Sequence, residues 1–364
     1  MHVKIPREQL LKPLGLIANV VERRHTLPVL ANTLITVDDR GLTLVGTDLE
    51  VELRINLPQV KGEAGEITVP ARKLFDICRA LPAEATLELR VDKDRAIIKS
   101  QSSRFTLSTM PSSEFPSIEA GGWSERLALP QQQLRGLLER TQFCMAQQDV
   151  RYYLNGLLLE FTRQTLRAVA TDGHRLALGE IEQAATFERQ VIVPRKGVQE
   201  ALRFLDSGEA TVEIMLSPNH IRFVAAGLSF TSKLIDGRFP DYNKVIPRTH
   251  GHHIRIAREV LRETLARVAI LSNEKYRGVR VGLAEGVLKI TAHNPEHEEA
   301  QEELAVGYAG PALEIGFNVT YLIDAIAALQ GTDVTLGVTD ADSSGSLKDP
   351  DSDRYVYVVM PMRL

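Results

Sequence analysis

"VKIPREQLLKPLGLIANVV" (residues 3–21), "LALPQQQLRGLLERTQFCM" (127–145) and "IRIAREVLRETLARVAILS" (254–272) are three readings of one pattern. Each opens as a short alternation of apolar and polar residues, the mark of a strand half-buried in a sheet. Each then shifts to leucines recurring at three and four residues, the period of an amphipathic helix. Pro6 and Pro130 fall where the helix should begin, a favoured place for proline. The starts lie 124 and 127 residues apart. Self-similarity at a fixed spacing decides the architecture before any single residue does.

Three further blocks keep the same order. "LTLVGTDLEVEL" (42–53) aligns with "LRAVATDGHRLA" (166–177) and "LKITAHNPEHEE" (288–299). Each follows another apolar strand and a tight turn, such as "DDRG" (38–41), so each reads as a hairpin. "ITVPARKLFDICRAL" (67–81), "VIVPRKGVQEALRFL" (191–205) and "IGFNVTYLIDAIAAL" (315–329) are strand-then-helix, again 124 apart. "RFTLSTMP" (104–111), "SFTSKLID" (229–236) and "RYVYVVMP" (354–361) close the units. The predicted fold class is α+β: three repeated units, each with two helices and antiparallel sheets. Seams at "EAGGWSE" (119–125) and "PRTHGHH" (247–253) set the expected domains at 1–121, 122–249 and 250–364.

Composition narrows the function. A chain of 364 residues with 44% hydrophobic content supports more than one core. It holds no run of about 18 apolar residues, so no membrane span is expected. The start, MHVKIPREQLL, lacks the layout of a secretory signal, and Cys78 and Cys144 fit a reducing compartment, so a cytoplasmic location is expected. The net charge of −4 is mild but uneven. The helix windows 7–24, 71–79, 131–148, 195–206, 258–267 and 319–329 carry 15 basic and 9 acidic side chains, a net of +6, against −10 elsewhere. A positive helical surface on an acidic body suits a polyanion held by phosphate contacts. No base-reading module accompanies it.

Chemistry is sparse. There is no phosphate-binding loop of the G-x-x-x-x-G-K-[ST] kind and no G-x-S-x-G nucleophile elbow, and the nine histidines form no metal-ligand cluster. No catalytic residue, cofactor or metal is expected. One stretch invites another reading. In "ATDGHRLAL" (170–178), Asp172 and His174 would share a strand face and could form half of a hydrolytic triad. No nucleophile is identifiable to complete it. Thr171-Asp172 also recurs as Thr47-Asp48, which points to turn capping common to the repeat. What is particular to the middle unit is Gly173-His174-Arg175-Leu176.

Taken together, "RHTLPVLANTL", "GTDLEVEL", "QQDVRYYLNGLLLE", "VATDGHRLAL", "DGRFPDY", "ILSNEKYRGVR" and the terminal "YVVMPMRL" closely resemble the bacterial DNA polymerase III beta subunit, the replicative sliding clamp. These stretches span the full length. The resemblance implies a head-to-tail homodimer, a ring of six units with strands outside and helices lining the hole. Double-stranded DNA would pass through it without regard to sequence. Screened, interchangeable phosphate contacts would let the ring slide, with topology replacing affinity. The implied partners are the replicative DNA polymerase subunit, a clamp-loader ATPase complex, and other polymerases and repair proteins bearing clamp-binding motifs. A repeat scaffold that binds peptides without encircling DNA is the competing reading.

The resemblance also assigns residues. For DNA it implies Arg24, Arg72, Lys73, Gln148, Tyr152, Tyr153, Arg195 and Lys196. For the dimer contact it implies Leu107, Ile270 and Leu271, with Glu298, Glu299, Glu302 and Glu303 facing Lys73 and Arg104 across the seam. Rim ion pairs of that kind set register more than affinity. For a groove taking Gln-Leu-apolar-Leu-Phe peptides it implies Arg151, Tyr153, Leu154, Thr171, Gly173, His174, Arg175 and Leu176. Pro240, Lys244, Val245, Tyr321 and Ser344 follow, then the tail Val358, Val359, Met360, Pro361, Met362, Arg363 and Leu364. Methionine, valine and proline can mould around a partner's leucine and phenylalanine. Lys244 and Asp342 depart from the family, where arginine and an apolar residue are common.

Overall fold

The structure, a computed structural model, describes residues 1–21, 27–118, 121–247, 249 and 251–363. Its α-helices are α1 (Arg7–Val20), α2 (Ala71–Ala80), α3 (Gln131–Glu139), α4 (Arg195–Phe204), α5 (Arg258–Val268) and α6 (Val319–Ala328). These are the six expected from the repeat. They hold 12 basic and 7 acidic side chains, so the charge partition survives the true helix limits.

The junctions explain why the helices start where they do. Strands His2–Pro6, Gly65–Pro70, Glu125–Pro130 and Arg189–Pro194 each end on the proline that precedes a helix. A ring-fixed φ near −60° suits both the strand exit and the helix entry. In the third repeat Asn318 replaces proline, and its side chain accepts from the Thr320 and Tyr321 N–H groups. The helices then bury the faces their periodicity predicts: α1 seats Leu10, Leu14 and Ile17.

One helix is shorter than its sequence suggests. The 131–148 window is α-helical only to Glu139. The Thr141 hydroxyl donates back to the Leu137 carbonyl at 2.7 Å, a 3₁₀ turn follows at Gln142–Cys144, and Gln148 adopts a left-handed φ of 54°. Back-bonding threonine competes with helix propagation.

The chain folds as two compact units. The first, residues 1–135 and 196–234, holds a five-stranded and an eight-stranded antiparallel sheet. The eight-stranded sheet joins two repeats: Val51–Leu57, from the first, pairs with Leu228–Lys233, from the second, with Phe230 opposite Leu53. The second unit, residues 136–195 and 235–364, repeats the design. Its eight-stranded sheet joins Arg175–Glu182, from the middle repeat, to Tyr355–Val359, near the end, with Leu176 opposite Val358. Its other sheet has four strands.

The hairpin strand of one repeat thus pairs with the closing strand of the next, twice over. That leaves two equivalent strands at sheet edges. Ser103–Ser108 ends the five-stranded sheet, and Glu299–Ala305 ends the four-stranded sheet. Edge strands present unpaired N–H and C=O groups, a template for another strand.

Candidate functional site

Residues 170–176 show what the shared turn does and what the middle repeat adds. The Thr171 hydroxyl donates to the Arg175 carbonyl and accepts from the Gly173 N–H. Asp172 Oδ1 accepts from the His174 and Arg175 N–H groups. Thr47 and Asp48 do the same in the first repeat, bonding the Val51 carbonyl and the N–H groups of Leu49, Glu50 and Val51. Asn294 takes the slot in the third, accepting from the Glu298 N–H. The capping expectation is therefore met in all three repeats. The hydrolytic dyad is not formed: Asp172 Oδ2 accepts from Arg175 Nε at 3.1 Å, and His174 is exposed. Asp172→Ala should lower unfolding stability by about 2–3 kcal/mol, because two backbone donors and Arg175 lose their acceptor. An unchanged denaturation midpoint would contradict this.

Gly173 needs its lack of side chain. Its φ is 89°, and an added methyl would meet the Arg151 guanidinium nitrogens at 2.9 Å. Arg151 is held there by Asp149 and by the Asp172 carbonyl at 3.2 Å. Its side-chain and backbone N–H bonds bring the Asp149 carboxyl down to about 2.

Next along the strand, Arg175 points inward and is mostly buried. It donates to Asp324 of α6 at 2.6 Å and to the Phe143 carbonyl at 2.8 Å, and it lies over the Tyr321 ring at 4.5 Å. It works as a rivet behind the wall, binding Tyr321 in place.

Leu176 and Val358, paired across the joint between repeats, belong to one buried apolar cluster. Leu158, Val169 and Ile192 extend it along the sheet, and Phe239 and Tyr242 cover it from the 235–247 segment. Tyr153 and Val245 pack half-buried against it. Leu154 is buried, while Pro240 and Lys244 are exposed at the rim, with Lys244 3.6 Å from Asp241. The tail closes one end. The Met360 N–H donates to the His174 carbonyl at 2.9 Å, and the Ser344 hydroxyl reaches Met360 Sδ at 3.3 Å.

Beyond Met360 the tail leaves this cluster. The Met362 N–H donates to the Gly316 carbonyl. Met362 and Arg363 border a separate cleft of about 380 Å³ with Asn273, Tyr276 and His293. Val359 is buried and Pro361 half-buried. Leu364 lies outside the described residues, as does Arg24.

Phe239, Tyr242, Leu158, Val169 and Ile192 were not among the expected groove residues. "DGRFPDY" (236–242) had singled out the segment of Phe239 and Tyr242, yet only Pro240 was drawn from it.

The expected DNA residues divide by what already holds them. Lys73, Gln148 and Tyr152 are exposed. Arg72 is half-buried and reaches the Val21 carbonyl at 3.5 Å. Arg195 donates to the Met145 carbonyl at 3.0 Å, and burial, with Arg175 nearby, lowers its pKa. Lys196 is ion-paired to the buried carboxylate of Asp48. These last three are tied to the scaffold.

Apart from Lys73, which is exposed on α2, the expected dimer residues lie on or beside the edge strands. Leu107 is buried and Arg104 exposed on Ser103–Ser108. Ile270 is 76% exposed at the turn after α5, with Leu271 half-buried beside it. Glu302 is engaged within its own chain: Arg267 grips it with two bonds of 2.6 and 2.7 Å, which lower its pKa. Glu298 likewise accepts from Asn294 Nδ2 at 2.6 Å. Glu299 and Glu303 are exposed on the edge strand itself.

Among the described residues no helix is long and apolar enough to cross a membrane, and no cluster of metal-ligating side chains occurs. Three family models match in sequence: the DNA polymerase III beta subunit N-terminal domain over residues 1–119, the central domain over 128–241, and the C-terminal domain over 243–363. The Pseudomonas putida beta sliding clamp is 54% identical over the whole of both chains. The Escherichia coli K12 beta sliding clamp is 47% identical, again over both full lengths. The crystal structure of a Pseudomonas aeruginosa DnaN sliding clamp bound to griselimycin superposes with a TM-score of 0.97 at 51% identity, covering both chains completely. The chain belongs to the DNA polymerase III beta subunit family, the beta sliding clamps.

Proposed function

We propose how this sliding clamp does its work. It is a replication processivity factor and carries out no catalysis. Two copies associate head to tail, the Glu299–Ala305 edge of one docking on the Ser103–Ser108 edge of the other. The observation that carries this reading is the pairing rule of the repeats. Each chain makes the hairpin-to-closing-strand joint twice internally and retains one half-joint at each end. Two copies complete two further joints and close a ring of six units. The units are 1–121, 122–249 and 250–364.

Duplex DNA passes through the ring, held loosely by the basic helical face. Lys73, Gln148, Tyr152 and Tyr153 contact phosphates, with Arg24, Arg72, Arg195 and Lys196 adding to the positive field. Contacts of this kind are blind to sequence and exchange from site to site. The replicative polymerase docks by a short apolar peptide in the groove floored by Leu176 and Val358 and walled by Tyr153, Val245 and Met360. A clamp-loader ATPase, other polymerases and repair proteins compete for the same groove. The setting is the bacterial cytoplasm.

Negative-stain images of the purified chain should show a ring with a central hole. Particles without a hole at micromolar protein would overturn ring closure.

A further inference from the structure

The 235–247 segment carries one wall of the groove, yet little regular structure supports it. The Ile235 N–H bridges to the Ile192 carbonyl at 2.9 Å, and a single 3₁₀ turn forms at Tyr242–Lys244. The rest hangs on side chains. Phe239 and Tyr242 insert into the apolar cluster. The Tyr242 hydroxyl then donates to Glu160 Oε2 at 2.6 Å, on the same face of the sheet as Leu158 and two residues along its strand.

Glu160 is not an isolated acceptor. It stands in a polar row across four adjacent strands, in which Gln190 pairs with Glu160, Glu160 with Arg167, and Arg167 with Glu180. Gln190 Nε2 donates to Glu160 Oε1 at 2.5 Å, Arg167 donates to Oε2 at 3.3 Å, and Arg167 is also bonded to Glu180. Burial would raise the Glu160 carboxyl, but the bonds from Tyr242, Gln190 and Arg167 prevail and hold it below its ordinary value. Burial and the bond to Glu160 push the Tyr242 phenol up to about 12. The acceptor is therefore charged, the donor keeps its proton, and the row fixes the acceptor from both sides. Such networks are rigid when every member is satisfied.

Val245 and Ile246 both donate their N–H groups to the Tyr242 carbonyl, so the turn that places Val245 is built on Tyr242. We infer that Tyr242 is a positioning residue for partner binding: anchored by the Glu160–Arg167 row, it sets where the Pro240–Val245 wall stands over the groove floor. This rests on the groove reading above. It assigns a role to Tyr242, Glu160 and Arg167, whose polar groups lie under the wall and need not touch the peptide.

The test compares Tyr242→Phe, Glu160→Gln and Glu160→Leu in the full-length chain. A labelled Gln-Leu-Val-Leu-Phe pentapeptide is titrated by fluorescence anisotropy, and hydrogen exchange is read over residues 239–247. Tyr242→Phe keeps the ring in the floor and loses one charge-assisted bond, so the peptide should bind about five- to tenfold more weakly, with faster exchange confined to that segment. Glu160→Gln retains a carbonyl acceptor and should stay within about threefold of the parent. Glu160→Leu should match Tyr242→Phe, and combining the two should add nothing, as expected for partners in one bond. Parent-like affinity in both Tyr242→Phe and Glu160→Leu overturns the positioning role alone. Failure of the parent chain to bind the pentapeptide overturns the groove reading and this inference with it.

Discussion

Ile270→Asp combined with Leu271→Asp yields a monomer. Ile270 is 76% exposed in the single chain, an unusual position for so apolar a residue, and Leu271 is half-buried beside it. Both sit at the turn after α5, next to the edge strand proposed to dock on a second copy. In the free chain an aspartate at Ile270 meets water and disturbs little, whereas one at half-buried Leu271 should cost some stability without unfolding the chain. In the closed seam the same carboxylate would be stripped of water against Leu107 with no partner. That costs several kcal/mol per charge, and about 4 kcal/mol already weakens association roughly a thousandfold. Light scattering at micromolar concentration should report the mass of one chain. A persisting dimer mass would contradict the placement of the seam.

Removing residues 360–364 leaves the dimer intact and abolishes partner-peptide binding. The cut falls just past the paired strand Tyr355–Val359, so the ladder to Arg175–Glu182 survives. What disappears is the end wall: the Met360 backbone bond to His174, and the thioether that Ser344 holds. Flexible thioether and proline surface against a partner's leucine and phenylalanine accounts for much of a short peptide's affinity. The dissociation constant should rise by at least about a hundredfold, close to 3 kcal/mol. Affinity within threefold of the parent would remove the tail from the site. Unchanged dimer mass in the same preparation separates this effect from loss of assembly.

The fold was legible in sequence to the extent that it repeats. Two of the co-linear blocks located the six helices found among the described residues, and Pro6 and Pro130 marked two of their starts. The end of α3 was not legible. Cys144, Met145 and Ala146 are apolar and buried, but loop packing buries them, and Thr141 has already turned the chain. Nor could periodicity reveal which edge pairs with which. The joint of Val51–Leu57 with Leu228–Lys233 spans a large stretch of chain, and only coordinates show that the second unit repeats it.

The site was legible where it departs from the repeat. Thr171-Asp172 matched Thr47-Asp48 and so read as scaffold, which left Gly173 to Leu176 as the unit-specific part. The apolar cluster beneath the proposed groove was hidden for two physical reasons. Leu158, Val169 and Ile192 look like any core strand residues, and Phe239 and Tyr242 lie in a segment with no period to read. The arginines and lysines proposed for DNA were legible as charges, but their partners within the chain were not. Sequence does not reveal that Asp48 already holds Lys196 or that the Met145 carbonyl holds Arg195.

In the proposed mechanism the chain stays on DNA because a closed ring surrounds it. The direct measurement loads the clamp onto nicked circular duplex DNA with a clamp loader, isolates the complex by gel filtration, and then linearises half of it. Clamp should elute with the circle and be lost from the linear form, at a salt concentration that suppresses ordinary phosphate binding. Equal retention on circular and linear DNA would contradict it.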